Sequence, residues 1–331
     1  MPEQAVSEAE TPARKADPGL TALRRFAVSI TALNVVGLLF LGFEQAYLTP
    51  VVAVLTAYGL SIVLETADAW AAGRPARYRG GFGNLVTFLL PAHIAGLACS
   101  MLLYGNERLM PTVFAVTVAI AGKYLIRLRV NGIPKHFFNP SNLGISTTLV
   151  VFGWMAIAPP YEFTEYGGAP VDFLLPAFVL VFGTMLNAKL TRRIPLILGW
   201  VGGFILQAVL RALFTPDSLV SALFVMTGVA FILFTNYMIT DPQTTPKRPR
   251  DQVVFGTSTA LVYGALVALH VTFGIFYALT IVCAGRFLLT WLRQRRQPAP
   301  AAEPAPAAAP DRLPQRAPVG VAPITVAQQA R

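Results

Sequence analysis

The chain has 331 residues, of which 55% are hydrophobic and only 13% charged, with a formal net charge of +10. An average soluble domain carries roughly 25% charged residues, so these few charges could not cover a water-facing surface. The positive balance requires no nucleic-acid partner, because a basic face beside anionic lipid headgroups accounts for it.

In chain order, residues 1–20 are polar and mixed in charge, with no basic run leading directly into a cleavable apolar stretch. The first apolar block is therefore expected to be a retained helix and not a signal peptide. Blocks of membrane-spanning length follow; roughly 20 residues cross the hydrocarbon core. Backbone groups in lipid must bond one another, so each block reads as a helix. The short alternating segments of a transmembrane β-barrel do not occur. Spans are predicted near 26–43, 48–68, 84–104, 109–127 and 142–158, then near 171–187, 194–212, 218–238, 252–270 and 274–292. The spans at 142–158 and 171–187 are short enough to be tilted or partly re-entrant. Residues 21–296 thus form an all-α transmembrane domain of about ten helices. Residues 297–331 hold eight prolines among many alanines and read as a disordered tail.

Charge tests this division independently. With the N-terminus inside, 24 of the 26 basic residues fall in cytoplasmic segments, and only Arg108 and Arg211 fall outside. The outer loops carry mostly acids, notably Glu162, Glu165 and Asp172. Positive charge is retained on the cytoplasmic side during insertion, which predicts that both termini are cytoplasmic; the expected location is a bacterial inner membrane. Cys99 and Cys283 lie within apolar spans without a CxxC pair and read as small buried hydrophobes.

Polar residues at membrane depth mark function or helix packing. His93 follows Pro91, and a mid-span proline is expected to kink or break this helix, which could line a ligand site. A histidine satisfied by neighbouring helices is the plainer reading. Asn139-Pro140-Ser141-Asn142 opens the fifth span, where Asn139 suits an N-cap and Pro140 the first turn. Thr240-Asp241-Pro242, followed by Gln243-Thr244-Thr245-Pro246, closes the eighth; Asp241 could cap the next turn or meet a ligand. Asn187 and Lys189 are expected to anchor the sixth span at the interface, and Arg211 to snorkel outward. A candidate pocket on the cytoplasmic side therefore takes its polar groups from Asn139, Asn142, Thr240, Asp241 and Thr244, with Pro91–His93 behind. Val150-Val151-Phe152-Gly153 after Asn139-Pro140 echoes Val253-Val254-Phe255-Gly256 after Asp241-Pro242. No phosphate-binding loop, HExxH zinc pair or GxSxG elbow occurs, and the three histidines are dispersed, so neither a metal site nor an autonomous enzyme is expected.

The stretches His136-Phe137-Phe138-Asn139-Pro140-Ser141-Asn142-Leu143-Gly144 and Ile239-Thr240-Asp241-Pro242-Gln243-Thr244-Thr245-Pro246 resemble the NqrB/RnfD family of membrane subunits. The resemblance covers about residues 80–292 and implies two inverted five-helix repeats, similar to ammonium and urea channels, with the broken third span as counterpart of the eighth. The family's respiratory members hold FMN through the threonine of a Ser-Gly-Ala-Thr segment, which this sequence lacks. Covalent FMN is therefore not implied, and the chain looks like the reduced UnbU branch found with enediyne biosynthesis genes. Two functions follow. One is a transport or accessory membrane component of a biosynthetic pathway, partnered by other membrane subunits or pathway enzymes. The other is an electron-transport subunit that binds flavin or quinone noncovalently and couples redox chemistry to cation movement. Similar folds host unrelated functions, so fold likeness alone does not choose.

Overall fold

The structure, a computed structural model, describes residues 18–159, 168–216 and 218–296. The predicted outer acids Glu162 and Glu165, most of the N-terminal segment and the Pro/Ala-rich tail lie outside the described residues. The chain divides at Trp291–Leu292, and the described part of the second unit is the end of the last helix.

Lipid leaves the backbone no partner but itself, and helices carry nearly all of the described chain. They are α1 (Pro18–Val36), α2 (Leu48–Ala71), α3 (Phe82–Leu102), α4 (Met110–Leu125), α5 (Pro140–Val151), α6 (Gly168–Leu186), α7 (Ile194–Phe214), α8 (Leu219–Phe224), α9 (Val229–Leu233), α10 (Pro249–Ala268) and α11 (Gly274–Arg296). Two-residue strands β1 (Leu103–Tyr104) and β4 (Ala156–Ile157) pair antiparallel, as do β2 (Arg127–Val130) and β3 (Ile133–His136) across the left-handed Asn131-Gly132 turn. Among the described residues, six helices are long and apolar enough to cross a membrane, and seven if the bent pair α8–α9 forms one span. The molecule therefore has the architecture of a multi-pass helical membrane protein.

The remaining predicted spans each differ from a simple crossing. Helix α4 is apolar but has 16 residues. Helix α10 has 20 residues but a mean hydropathy lowered by its polar first turns. Helix α5 has 12 residues, about 18 Å at 1.5 Å per residue, which is short of the roughly 30 Å core. The chain beyond it leaves the helix at Phe152 and reaches β1 through β4.

The expected break at Pro91 is absent: α3 runs continuously through it. Proline removes one backbone bond, which a 21-residue helix held along both flanks retains without breaking. The break falls instead at Gly228, whose extended backbone (φ −73°, ψ 144°) separates two segments bent by 65°.

Helices α1 and α6 end alike. Each continues into a five-residue π turn, Gly37–Leu41 and Asn187–Thr191, closed by a left-handed residue, Gly42 and Arg192. In each, the N–H of the next residue returns to the first carbonyl of the turn, Phe43 to Gly37 and Arg193 to Asn187, both at 3.0 Å. Helix α1 packs on α3 and α2 on α4, while α6 packs on α9 and α7 on α10.

Small residues set the tightest contacts, as expected where helix association gains nothing from leaving lipid. A Cβ on Gly199 would lie 2.5 Å from the Val253 carbonyl oxygen, and one on Gly256 would lie 2.4 Å from that of Leu196. Gly203 meets Ala260 and Gly264 meets Gln207 along the same α7–α10 seam. Beside it, buried Trp200 donates to Thr235 Oγ1 at 2.9 Å, tying α7 to the π turn Phe234–Met238 that continues α9.

The basic residues gather where loop 72–81, the β2–β3 hairpin, the α6–α7 turn and the linker 239–248 meet. Fully buried Glu65 binds Arg74 at 2.7 Å and Arg77 at 2.5 Å. Asp68 binds Arg74 at 2.5 Å and also Arg127. Hydrogen bonds donated to Glu65 and Asp68 hold the Arg74 guanidinium above its ordinary range, and those donated to Glu65 do the same for Arg77. This clamp fixes loop 72–81 and the hairpin to the end of α2. Cys99 and Cys283 are buried free thiols.

Candidate functional site

A cavity of about 1300 Å³ lies among α1, α3, α6, α8–α9 and the start of α11. Its wall is mostly apolar. Val28, Phe178 and Phe182 line it and are also exposed on the outer surface, so one side opens toward the surroundings of the bundle. One end is polar, formed by Lys123, Asn139, Ser141, Asn187, Thr240 and Asp241.

Three of the predicted residues, Asn139, Thr240 and Asp241, therefore share this cavity end. Asn139 caps α5 by accepting from the Asn142 N–H at 3.0 Å, and its Nδ2 donates to the Met238 carbonyl at 3.0 Å, one residue beyond Tyr237 of the cavity wall. Thr240 donates to the Asn236 carbonyl at 2.6 Å. Asp241 closes its own turn: Oδ1 accepts from the Gln243 N–H at 3.0 Å and Oδ2 from the Thr244 hydroxyl at 2.9 Å. Thr244 is buried and does not line the cavity; its carbonyl accepts from Arg286 at 2.7 Å.

Asn142 turns away, toward α11. Its Nδ2 donates to the Phe276 carbonyl at 3.0 Å and to Thr280 Oγ1 at 2.8 Å, and Ser146 joins the same pair. Asn142 Oδ1 is buried with no hydrogen-bond partner among the described residues. His93 sits apart, between α1 and α2. Thr31 gives its one proton to the Ala27 carbonyl at 2.7 Å, so at 2.8 Å it accepts from His93 Nε2–H. Tyr58 then donates to Nδ1 at 2.9 Å, and both ring nitrogens of a neutral histidine are satisfied.

Two residues of the cavity end carry roles that sequence reasoning did not assign. Asn187 is fully buried, not interfacial: its Nδ2 bridges the Gly183 and Asn236 carbonyls at 2.9 and 2.8 Å, which joins α6 to the turn after α9. Lys123, in the last turn of α4, has no hydrogen bond or ion pair among the described residues, and Asp241 is the acid whose charge reaches it. Around this end, Arg193 is buried and spends its two Nη groups on the Pro242 and Pro246 carbonyls, the former at 3.0 Å. Burial, then Arg286, Lys247 and Arg193, push the Lys135 ammonium below its usual value. Burial, followed by Lys123, pushes His136 down to about 4, so its ring is neutral near pH 7.

The site thus joins a wide apolar chamber to a polar end that carries one ammonium without a direct partner among the described residues, Lys123, and one carboxylate, Asp241. This arrangement can hold a molecule with a greasy body and a polar head. Neither a protein-family model nor a curated protein matches this chain.

Proposed function

We propose that this chain is a membrane component of the NqrB/RnfD kind without covalent flavin, acting in transport or as an accessory of a biosynthetic pathway such as that of an enediyne. It holds an amphipathic small molecule within the bundle. The observation that carries this reading is the cavity, about 1300 Å³, apolar along its length and open at the side where Val28 and Phe178 are exposed. A soluble substrate gains nothing from such a wall, whereas each buried CH₂ of a lipophilic one contributes about 0.8 kcal/mol.

The ten-helix, inverted-repeat arrangement is part of the proposal. It is supported by the matching π turns after α1 and α6 and by the matched pairings α1–α3 with α6–α9 and α2–α4 with α7–α10. The Val-Val-Phe-Gly echo adds nothing, since one copy ends α5 and the other lies inside α10.

A second reading, noncovalent flavin or quinone in an electron-transport subunit, is favoured by the rings of Phe231, Phe234 and Tyr237 on the cavity wall, which suit a flat ring system. One experiment separates the two. Protein purified in detergent is precipitated, and the pellet and solvent extract are analysed by fluorescence and mass spectrometry. The transport reading predicts a colourless pellet and an extract enriched in a lipophilic molecule at about one per chain. Flavin or quinone in the extract supports the redox reading, and flavin fluorescence that stays with the pellet contradicts both.

A further inference from the structure

We infer that the cavity selects a single-chain amphiphile with an anionic head, a carboxylate or phosphate, which pairs with Lys123 while its tail lies along α1, α6 and α9. This inference rests on the cavity reading above and adds the sign of the head.

Charge carries it. Most groups at the polar end are already committed to the fold: both Asp241 oxygens to Gln243 and Thr244, the Arg193 Nη groups to two carbonyls, and Arg286 Nη1 to Thr244. Lys123 is a wall residue and has no direct partner among the described residues. Asp241 and Arg77, of opposite sign, are the charges that reach Lys123, while Arg286, Lys247 and Arg193 act on Lys135, which together with Lys123 acts on His136. A neutral or cationic head leaves the Lys123 ammonium without a direct partner in a low-dielectric setting, whereas an anion pairs with it. The position of α5 adds to the effect. Its first turn, Pro140 and Ser141, lines the same end, and the positive pole of its dipole therefore faces the head. The apolar chamber supplies the remainder of the fit: Leu33, Leu175, Val179 and Leu233 offer a tail nothing to hydrogen-bond.

The test uses full-length protein in a neutral detergent and three probes with one tail: oleic acid, oleyl alcohol and oleylamine. Native mass spectrometry after detergent stripping counts the retained molecules. Wild type is expected to retain oleate about tenfold better than the alcohol, the scale of one charge-assisted contact, and the amine least of all. Lys123→Gln should bring oleate to the level of the alcohol, and Lys123→Arg should keep the preference. Equal retention of oleate and alcohol by wild type overturns the anionic head and leaves the cavity reading standing; this comparison requires no variant. A preference that survives in Lys123→Gln also overturns the assignment. Retention of none of the three overturns the cavity reading itself.

Discussion

Asp241 lines the polar end of the cavity and accepts with both carboxylate oxygens inside its own turn. Asparagine can still accept from the Gln243 N–H, and losing the second bond costs about 1 kcal/mol. Asp241→Asn should therefore fold with near-normal yield and melt close to wild type in detergent. It should also bind oleate more tightly, because an acid opposing the head is gone; unchanged or weaker binding would contradict an anionic head at this end. His136 gives a pH signature. Its ordinary value of 6.5 falls to about 4 in the folded state. The unfolded chain thus binds the proton first, and stability present near pH 7 is lost as pH falls from about 6.5 toward 4. The melting temperature of His136→Asn should fall less than that of wild type over this window; parallel curves would show that the ring is not desolvated. At this scale the sequence was partly legible. Asn139, Thr240 and Asp241 stood out because Asn-Pro and Asp-Pro punctuate spans. Lys123 counted only as one more positive charge inside, since nothing local distinguishes a lysine at a helix end from one facing a cavity.

Glycines decide how closely α7 and α10 approach. Gly199 and Gly202 lie on the same helix, yet a Cβ on Gly199 meets the Val253 backbone at 2.5 Å while one on Gly202 meets nothing within 4 Å. Gly199→Val should cost at least about 1–3 kcal/mol, because the obstruction is backbone and cannot rotate away. Gly202→Val should be tolerated. Monodisperse yield on size exclusion compares them, and equal yields would refute the close packing. The four-residue spacing of Gly199 and Gly203, and of Gly256, Ala260 and Gly264, is a packing signal that sequence reasoning did not use. What was not visible is which helix faces which, because a seam is defined only when both sides are placed. Proline misled for a related reason. The helix at Pro91 is supported by α1, α2 and α4 and stays whole, while Gly228, with less around it, gives way. Local propensity marks weak points in a span, and tertiary support decides which of them interrupts the helix.

Across the whole molecule, long apolar blocks made the helices legible: α2 and α7 begin where the hydropathy pattern places them, at Leu48 and Ile194. The shortness of span five was legible, but span eight resisted because a bent pair shares its composition with a simple crossing. The basic residues that cluster through Glu65, Asp68 and the linker 239–248 motivate a topology prediction. A reporter fused after Arg296 should be active only in the cytoplasm, and one inserted after Arg108 only outside; the same side for both would make the number of crossings between them even.

The central claim is that the chamber between α1 and α6 is occupied by a lipophilic tail, and Ala32 tests it most directly. Ala32 lines the cavity yet is exposed at its open side, so Ala32→Trp fills the chamber without entering the packed core. The measurement is native mass spectrometry of retained oleate, with melting temperature as the check on folding. Wild type should hold about one tail per chain and Ala32→Trp severalfold less at an unchanged melting temperature. Equal occupancy in the two proteins would contradict the account.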